Sequence, residues 1–303
     1  MKQYLTTAAL LLSSLACAQD SYLWQHSDVK AAWSQGFKGQ GVKITVHDND
    51  VDLLEDGAYL KYKRNWDFYR RESMTHAEAV RQVAQFTAPS AQVEKKPWDN
   101  GTIVLDPTKF NVVNASYGWV GGTDAGSVAV AKSYQLAQLA YNNQAVVVKA
   151  AGNANANLSD QGGGDGINIA LKDANAIIFA GALSSHGTEV KTRKIRGQTS
   201  QTGGAVRADY SNRPGADAAY QNRYLMVGVD SWNMTVAGTS FAAPQISAYA
   251  AMVSSKFTAA RPNQVVSQLL NTARTDTISN YNREDHGRGE ASLSRALAPI
   301  SLN

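Results

Sequence analysis

From residue 42 onward, apolar positions in this chain follow two alternating rhythms. Short, nearly unbroken apolar runs of strand length occur at Val42–His47, Val112–Ala115, Ala145–Ala150, Ala176–Ala180 and Tyr224–Val227. Continuous runs suit strands whose two faces are both covered. Between them lie longer stretches of helical character, about Ala77–Gln85, Gly126–Asn143, Thr239–Phe257 and Pro262–Thr272. Arg261-Pro262 puts proline in the first turn of the last one, where its missing N–H breaks no helical bond. Strand and helix in alternation predict an α/β fold with a mostly parallel central sheet and helices on both faces. No repeat, low-complexity tract or compositional linker divides the chain.

Composition changes this picture mainly at the surface and the N-terminus. With 44% hydrophobic and 18% charged residues, the 303-residue chain has enough apolar side chains for a real core. The formal net charge of +4 is spread along the sequence, apart from one basic cluster, Lys61 to Arg71. That cluster is interleaved with Tyr62, Trp66, Phe68 and Tyr69, a makeup that can stack single-stranded nucleic acid. Because it is short and isolated, it reads as ordinary surface, and no nucleic-acid partner is expected.

At the start, Lys2 precedes the apolar run Ala8–Leu12 and then Ala16-Cys17-Ala18, a small-x-small cleavage pattern. Residues 1–18 therefore read as an export signal, which leaves residues 19–303 as one domain. The apolar run is too short for a permanent span, so no integral membrane segment is expected after its removal. Acylation of Cys17 is the alternative, but Ser14 stands where a lipoprotein signal has an aliphatic residue. Cys17 is also the only cysteine, which leaves the mature chain without disulfide or thiol chemistry. The expected destination is the periplasm or the medium. The glycine-rich stretch Gln161–Gly166 reads as a surface loop, and its Asp165 with Asp160 offers either two solvated carboxylates or a weak calcium contact. No cofactor or metal is expected.

The strongest chemical signal is Val236-Ala237-Gly238-Thr239-Ser240-Phe241-Ala242-Ala243-Pro244. A serine entering a helix of small residues can approach a sheet edge, and the helix N-terminus favours negative charge there. The same Gly-Thr-Ser is a good helix cap, and residue type alone leaves both readings open. A serine nucleophile needs a base, and the base needs a carboxylate to orient it. Asp48 falls at the C-terminal end of the first strand, where open α/β sheets place their sites. Asp50 and Asp52 lie past that strand and read as solvated. Asn153 directly follows another strand, so its amide reaches either a shared site or a left-handed turn.

The Ser240 stretch resembles the nucleophile motif of the subtilase family, Gly-Thr-Ser-x-Ala-x-Pro, and the likeness extends from about Trp24 to Pro299. Gly41–Asp48 is similar to the family's first strand, and Asn65-Trp66-Asp67-Phe68 to the segment before its histidine. Ala88-Pro89-Ser90-Ala91, Val113–Gly118 and Ala150-Ala151-Gly152-Asn153 resemble later landmarks in the family's order. His286-Gly287-Arg288-Gly289 and Ser294–Leu297 resemble the tail of subtilase domains in bacterial autotransporters, here without a following β-barrel. The resemblance implies a subtilisin-like three-layer fold and a serine endopeptidase acting on protein or peptide substrates. It implies Asp48 and Ser240 as catalytic residues and Asn153 as an oxyanion donor. It also implies that Ser116, Tyr117 and Gly118 bind the substrate backbone.

The family writes its base as His-Gly-Thr-x-Val-Ala. His186-Gly187-Thr188-Glu189-Val190 looks like that motif, but it follows the strand that comes after Asn153, which is the wrong place. His76, in Thr75-His76-Ala77-Glu78-Ala79-Val80, follows the Trp66–Phe68 landmark and opens an amphipathic helix. It is the expected base. Ala77 and Glu78 replace the family's Gly and Thr, and the Glu78 carboxylate is expected to raise the histidine pKa. Asp50 adds a second acid near Asp48. Two functions follow: an exported endopeptidase, or an impaired relative that binds peptides without cleaving them.

Overall fold

The computed structural model describes residues 26–49, 75–98, 102–118, 127–160, 166–195, 198–229 and 237–302. Residues 1–18, Asp50, Asp52, the Lys61–Arg71 cluster with Trp66–Phe68, and Asp165 lie outside the described residues.

A six-stranded sheet forms the centre, in the order β2-β1-β3-β4-β5-β8. Its strands are β1 (Val42–Asp48), β2 (Gln92–Pro97), β3 (Phe110–Ala115), β4 (Val146–Ala150), β5 (Ile177–Leu183) and β8 (Tyr224–Gly228). Every neighbouring pair is parallel, for example Ile44 opposite Val112 and Val148 opposite Ile178. All five apolar runs become sheet strands. The polar segment β2 does so without an apolar run, because it lies at the sheet edge beside β1 only. Its Lys95, Lys96 and Pro97 are residues that discourage further edge pairing. A separate antiparallel hairpin, β6 (Lys191–Ile195) with β7 (Gln198–Thr202), is likewise polar and was not legible as apolar rhythm.

Side chains alternate across the sheet and so feed two cores. Ile44, Val46, Val112, Val148 and Ala180 belong to one. Val113, Ala115, Val147 and Phe179 belong to the other. The first core surrounds α6 (Thr239–Lys256), with α2 (His76–Thr87) and α7 (Pro262–Asn271) packed around it. The second lies under α3 (Ser127–Tyr141) and α4 (Gly166–Leu171) and takes in Tyr220 of the short α5 (Ala218–Gln221). This is the three-layer arrangement that the alternating rhythms predict.

Helix α6 is buried along almost its whole length. A helix covered on all sides needs no polar face, which explains the run of alanines between Ala242 and Ala251. Among the described residues, no helix is long and apolar enough to cross a membrane.

Helix α1 (Ser27–Ser34) ties the start of the described chain to its end. The Asp28 carboxylate accepts hydrogen bonds from Ser292 and Ser294, at the start of α9 (Leu293–Ala296). His26 caps α1 through Nδ1, and its Nε2 pairs with the buried Tyr249 hydroxyl. Its ring lies 3.9 Å from that of His186, which in turn faces the Glu290 carboxylate at 3.4 Å. Burial, with the His186 charge adding to it and Asp28 opposing it, lowers the His26 pKa from 6.5 to about 3. The folded protein therefore holds His26 neutral where the unfolded chain would protonate it.

That contribution is complete above pH 6.5 and declines toward pH 3, by up to about 1.4 kcal/mol per pH unit. Denaturant melts at pH 7 and pH 5 should show a loss near 2 kcal/mol that His26→Gln reduces to less than half. An unchanged pH dependence in His26→Gln would show that other groups carry it.

Candidate active site

The site is built where β1, β3 and β4 end and α2 and α6 begin. Asp48 closes β1 and is 4% exposed. One of its oxygens accepts the Asn49 N–H at 2.8 Å, and the other faces His76 Nδ1 at 2.9 Å. A carboxylate only accepts, so this pairing puts the proton on Nδ1 and leaves Nε2 the basic nitrogen. His76 is the first residue of α2, whose N-cap Thr75 accepts the Glu78 N–H at 3.2 Å. The imidazole packs 6.0 Å from the ring of Phe241, the residue after Ser240.

Thr239 and Ser240 do not cap α6. The N-cap is Gly238, whose φ of +141° suits glycine, and the two hydroxyls bond residues just past the ends of β4 and β3. Ser240 Oγ donates to the Ser116 carbonyl at 3.0 Å, and Ser116 Oγ donates back to the Ser240 carbonyl at 2.9 Å. Pro244 explains why that carbonyl is available. It stands four residues on, where an N–H would otherwise take the Ser240 oxygen, and it has none to give. Asn114 extends the link, donating to Ser116 Oγ at 2.9 Å and accepting from Ser247 at 3.2 Å. Proline inside a helical pattern was the sequence signal for this arrangement, and the sequence reading passed over it.

Asn153 lies on an exposed turn just after β4. Its Oδ1 accepts from the Thr239 backbone at 2.9 Å and from the Thr239 hydroxyl at 3.0 Å. Those bonds fix the amide so that Nδ2, the donor half, is left for another acceptor. A Cβ on Gly238 would come within 3.3 Å of that nitrogen, so glycine keeps the space beside it open. The turn is held by Asn212, which sequence reasoning missed. Its side chain accepts from Ala154 and Ala156 and donates to the Ala151 carbonyl, at 2.9–3.0 Å. Gly152, with φ +104°, runs so close to Asn212 that a side chain there would collide with it.

Glu78 and His186 each have partners of their own. Glu78 is engaged elsewhere: it pairs with Arg81 at 2.7 Å, with Gln82 at 3.2 Å and with Lys95 at 3.6 Å. The Arg81 hydrogen bond holds its carboxyl below the ordinary value, against the effect of partial burial. Its charge is paired with two cations. His186 pairs with Glu290 and stacks on His26, and a side chain at Gly187 would overlap the Thr277 carbonyl. His-Gly-Thr is therefore explained there by packing.

The structure brings Asp48 to His76 and Ser240 to Ser116, with Asn153 hydrogen-bonded to the residue before Ser240. Tyr117 and Gly118 continue β3 outward, half-buried and exposed respectively.

A parallel α/β sheet whose polar residues gather at the carboxyl ends of its strands defines a class of enzymes and binding proteins with sites at that edge. Within that class, the chain belongs to the subtilase family, peptidase S8, whose family model matches residues 82–291. The match contains Asn153 and Ser240 and begins after Asp48 and His76.

Solved structures share the fold at low identity. One is a lanthipeptide protease, with 17% identity and a TM-score of 0.51, covering 91% of this chain and 93% of that one. Another is the subtilase cytotoxin SubAB assembly, with 15% identity and a TM-score of 0.55, covering 91% and 94%. A third is a protease of Pseudoalteromonas arctica PAMC 21717, with 17% identity and a TM-score of 0.54, covering 91% and 96%. No curated protein matches the chain.

Proposed function

We propose that this protein is an exported serine endopeptidase in which Ser240 attacks a peptide carbonyl. His76 takes the serine proton and returns it to the leaving amine, and Asp48 orients His76. The observation that carries the reading is the 2.9 Å pairing of Asp48 with His76 Nδ1, beside the residue that follows Ser240. The developing oxyanion would be met by Asn153 Nδ2 and the Ser240 backbone N–H, one of the first-turn donors that a helix leaves without an internal partner. Ser116, Tyr117 and Gly118 would pair with the substrate as an added strand. Export rests on the Lys2, Ala8–Leu12 and Ala16-Cys17-Ala18 pattern. The His286–Gly289 and Ser294–Leu297 landmarks support kinship with autotransporter subtilase domains.

For attack, the Ser240 hydroxyl must exchange the Ser116 carbonyl for His76 Nε2. That parked hydroxyl favours a second reading, a peptide-binding relative without turnover, with Ala77 in place of the family's glycine as further support. A fluorophosphonate probe separates the two. The peptidase reading expects stoichiometric labelling of the wild type and none of Ser240→Ala. Equal, weak labelling of both proteins would overturn it and leave the binding reading.

A further inference from the structure

We propose that the hairpin β6–β7 is a docking site for an acidic, extended polypeptide segment, which adds to the outer edge of β6 as a third strand. The site is separate from the residues of the proposed mechanism, and docking there needs no turnover.

Three of four successive residues of β6, Lys191, Arg193 and Lys194, are cations with exposed side chains. The strand opposite supplies no acid: Thr202 faces Lys191, Ser200 faces Arg193 and Thr199 faces Lys194. Among the described residues, no carboxylate forms an ion pair with any of the three. The nearest acid along the chain, Glu189, stands at the root of the hairpin. On the edge strand β2, by contrast, Lys95 is paired with Glu78 at 3.6 Å. Unbalanced cations make the β6 edge selective rather than closed. They repel a basic strand and attract an acidic one, because charges on neighbouring strands interact directly.

Hydrogen bonds tie down the root of the hairpin. The Val190 N–H donates to the Asp276 carbonyl at 2.8 Å, and the Gly204 N–H donates to the Thr188 carbonyl at 3.0 Å. On the β7 side the Ser279 hydroxyl donates to the Gly203 carbonyl at 3.0 Å, and Gln201 accepts from the Asn280 N–H at 3.4 Å. That edge is partly flanked. The outer edge of β6 is different: past Val190 it makes no backbone hydrogen bond with any described residue besides β7. Every second residue of β6 therefore directs its N–H and C=O outward.

This open ladder decides the class of partner. Cations alone would suit any polyanion, whereas outward N–H and C=O groups in strand register are completed by another polypeptide strand. Side chains alternate across a strand, so Lys191 and Arg193 share one face and Lys194 lies on the other. A segment with consecutive acids meets both faces. One with acids at every second position meets only one of them.

The test uses the full chain carrying Ser240→Ala, so that no probe is cleaved. The probes are fluorescein-labelled Thr/Val peptides with a central run of Glu, Gln or Lys. Anisotropy titrations at low salt should find the Glu peptide binding about tenfold tighter than the Gln peptide, and the Lys peptide weakest. Combined Lys191→Gln, Arg193→Gln and Lys194→Gln, all at exposed positions, should cut the Glu/Gln ratio to about two with the thermal melt unchanged. Strand addition has its own signature. N-methylating alternate residues of the Glu peptide should cost about tenfold in one phase, the one facing β6, and little in the other. The proposal is overturned if Glu and Gln peptides bind alike, or if the triple variant keeps the ratio. It is also overturned if neither methylation phase weakens binding, or if a single-stranded oligonucleotide or anionic vesicles displace the Glu peptide at equal charge concentration. Either of those last results would mark a general polyanion surface.

Discussion

Ser240→Ala and His76→Ala should each lower kcat/KM for a cleavable peptide by at least about 10⁴-fold, the scale known for serine peptidases that work through such a triad. The double variant should be hardly worse than either single one. In the proposed mechanism the two side chains act on one proton. Without His76 the Ser240 hydroxyl keeps its proton at neutral pH, and without Ser240 the imidazole has no proton to accept. Residual activity would come from Asn153, the helix N-terminus and substrate binding, which neither substitution removes. Losses that multiply in the double variant would mean that Ser240 and His76 act independently, and the assignment of His76 as base would fail. Circular dichroism of each variant checks that the fold persists. His76→Ala is the variant to watch in that respect, because the imidazole is buried against Asp48 and Phe241.

Asp48→Asn should cost nearly as much, about 10⁴-fold in kcat at neutral pH, through the position of a single proton. One Asp48 oxygen accepts the Asn49 N–H at 2.8 Å and the other faces His76 Nδ1 at 2.9 Å. An asparagine that kept the first bond would turn its NH₂ toward Nδ1. Nδ1 would then have to accept, and the ring proton would move to Nε2, the nitrogen that must be free to take the serine proton. Geometry would survive while the chemistry stopped. Ser240 in this variant should label with fluorophosphonate far more slowly than in the wild type. Activity within about tenfold of wild type would show that Asp48 does not orient the base.

Legibility in the sequence divided along physical lines. The central strands were readable because both of their faces are covered, so β1, β3, β4, β5 and β8 are apolar almost throughout. Helix α6 was readable from its small residues, since a helix buried on every side has no other composition open to it. β2 was not readable. An edge strand carries Gln, Glu and Lys for reasons of negative selection against pairing, and nothing in Gln92–Pro97 marks it as sheet. The short helices α1, α8 (Arg283–His286) and α9 were also invisible, each held by caps and contacts with distant chain rather than by periodicity.

The candidate site divides in the same way. Which residue types are present, and in what order, could be read directly: Asp48 at a strand end, His76 opening a helix, Asn153 after a strand, Ser240 in a small-residue helix. Ser240 read equally well as a cap. That ambiguity ends only with Gly238 as N-cap and the Ser240 hydroxyl reaching Ser116 across a separation of 124 residues. The choice between His76 and His186 could be argued from order alone. What each ring touches, Asp48 for one and Glu290 with His26 for the other, depends on strands and loops far apart in the chain. The same holds for Glu78, an apparent intruder beside the histidine that the fold turns toward Arg81 and Lys95.

The sequence by itself determined the parallel α/β class, the chain order of Asp48, His76, Asn153 and Ser240, and the family likeness. These properties are written in local composition and spacing. Only the tertiary structure decided which carboxylate meets which imidazole and where the Ser240 hydroxyl rests. Hydrogen bonds of 2.9–3.0 Å between residues tens of positions apart depend on strand register and helix docking. No local pattern in the chain carries that information.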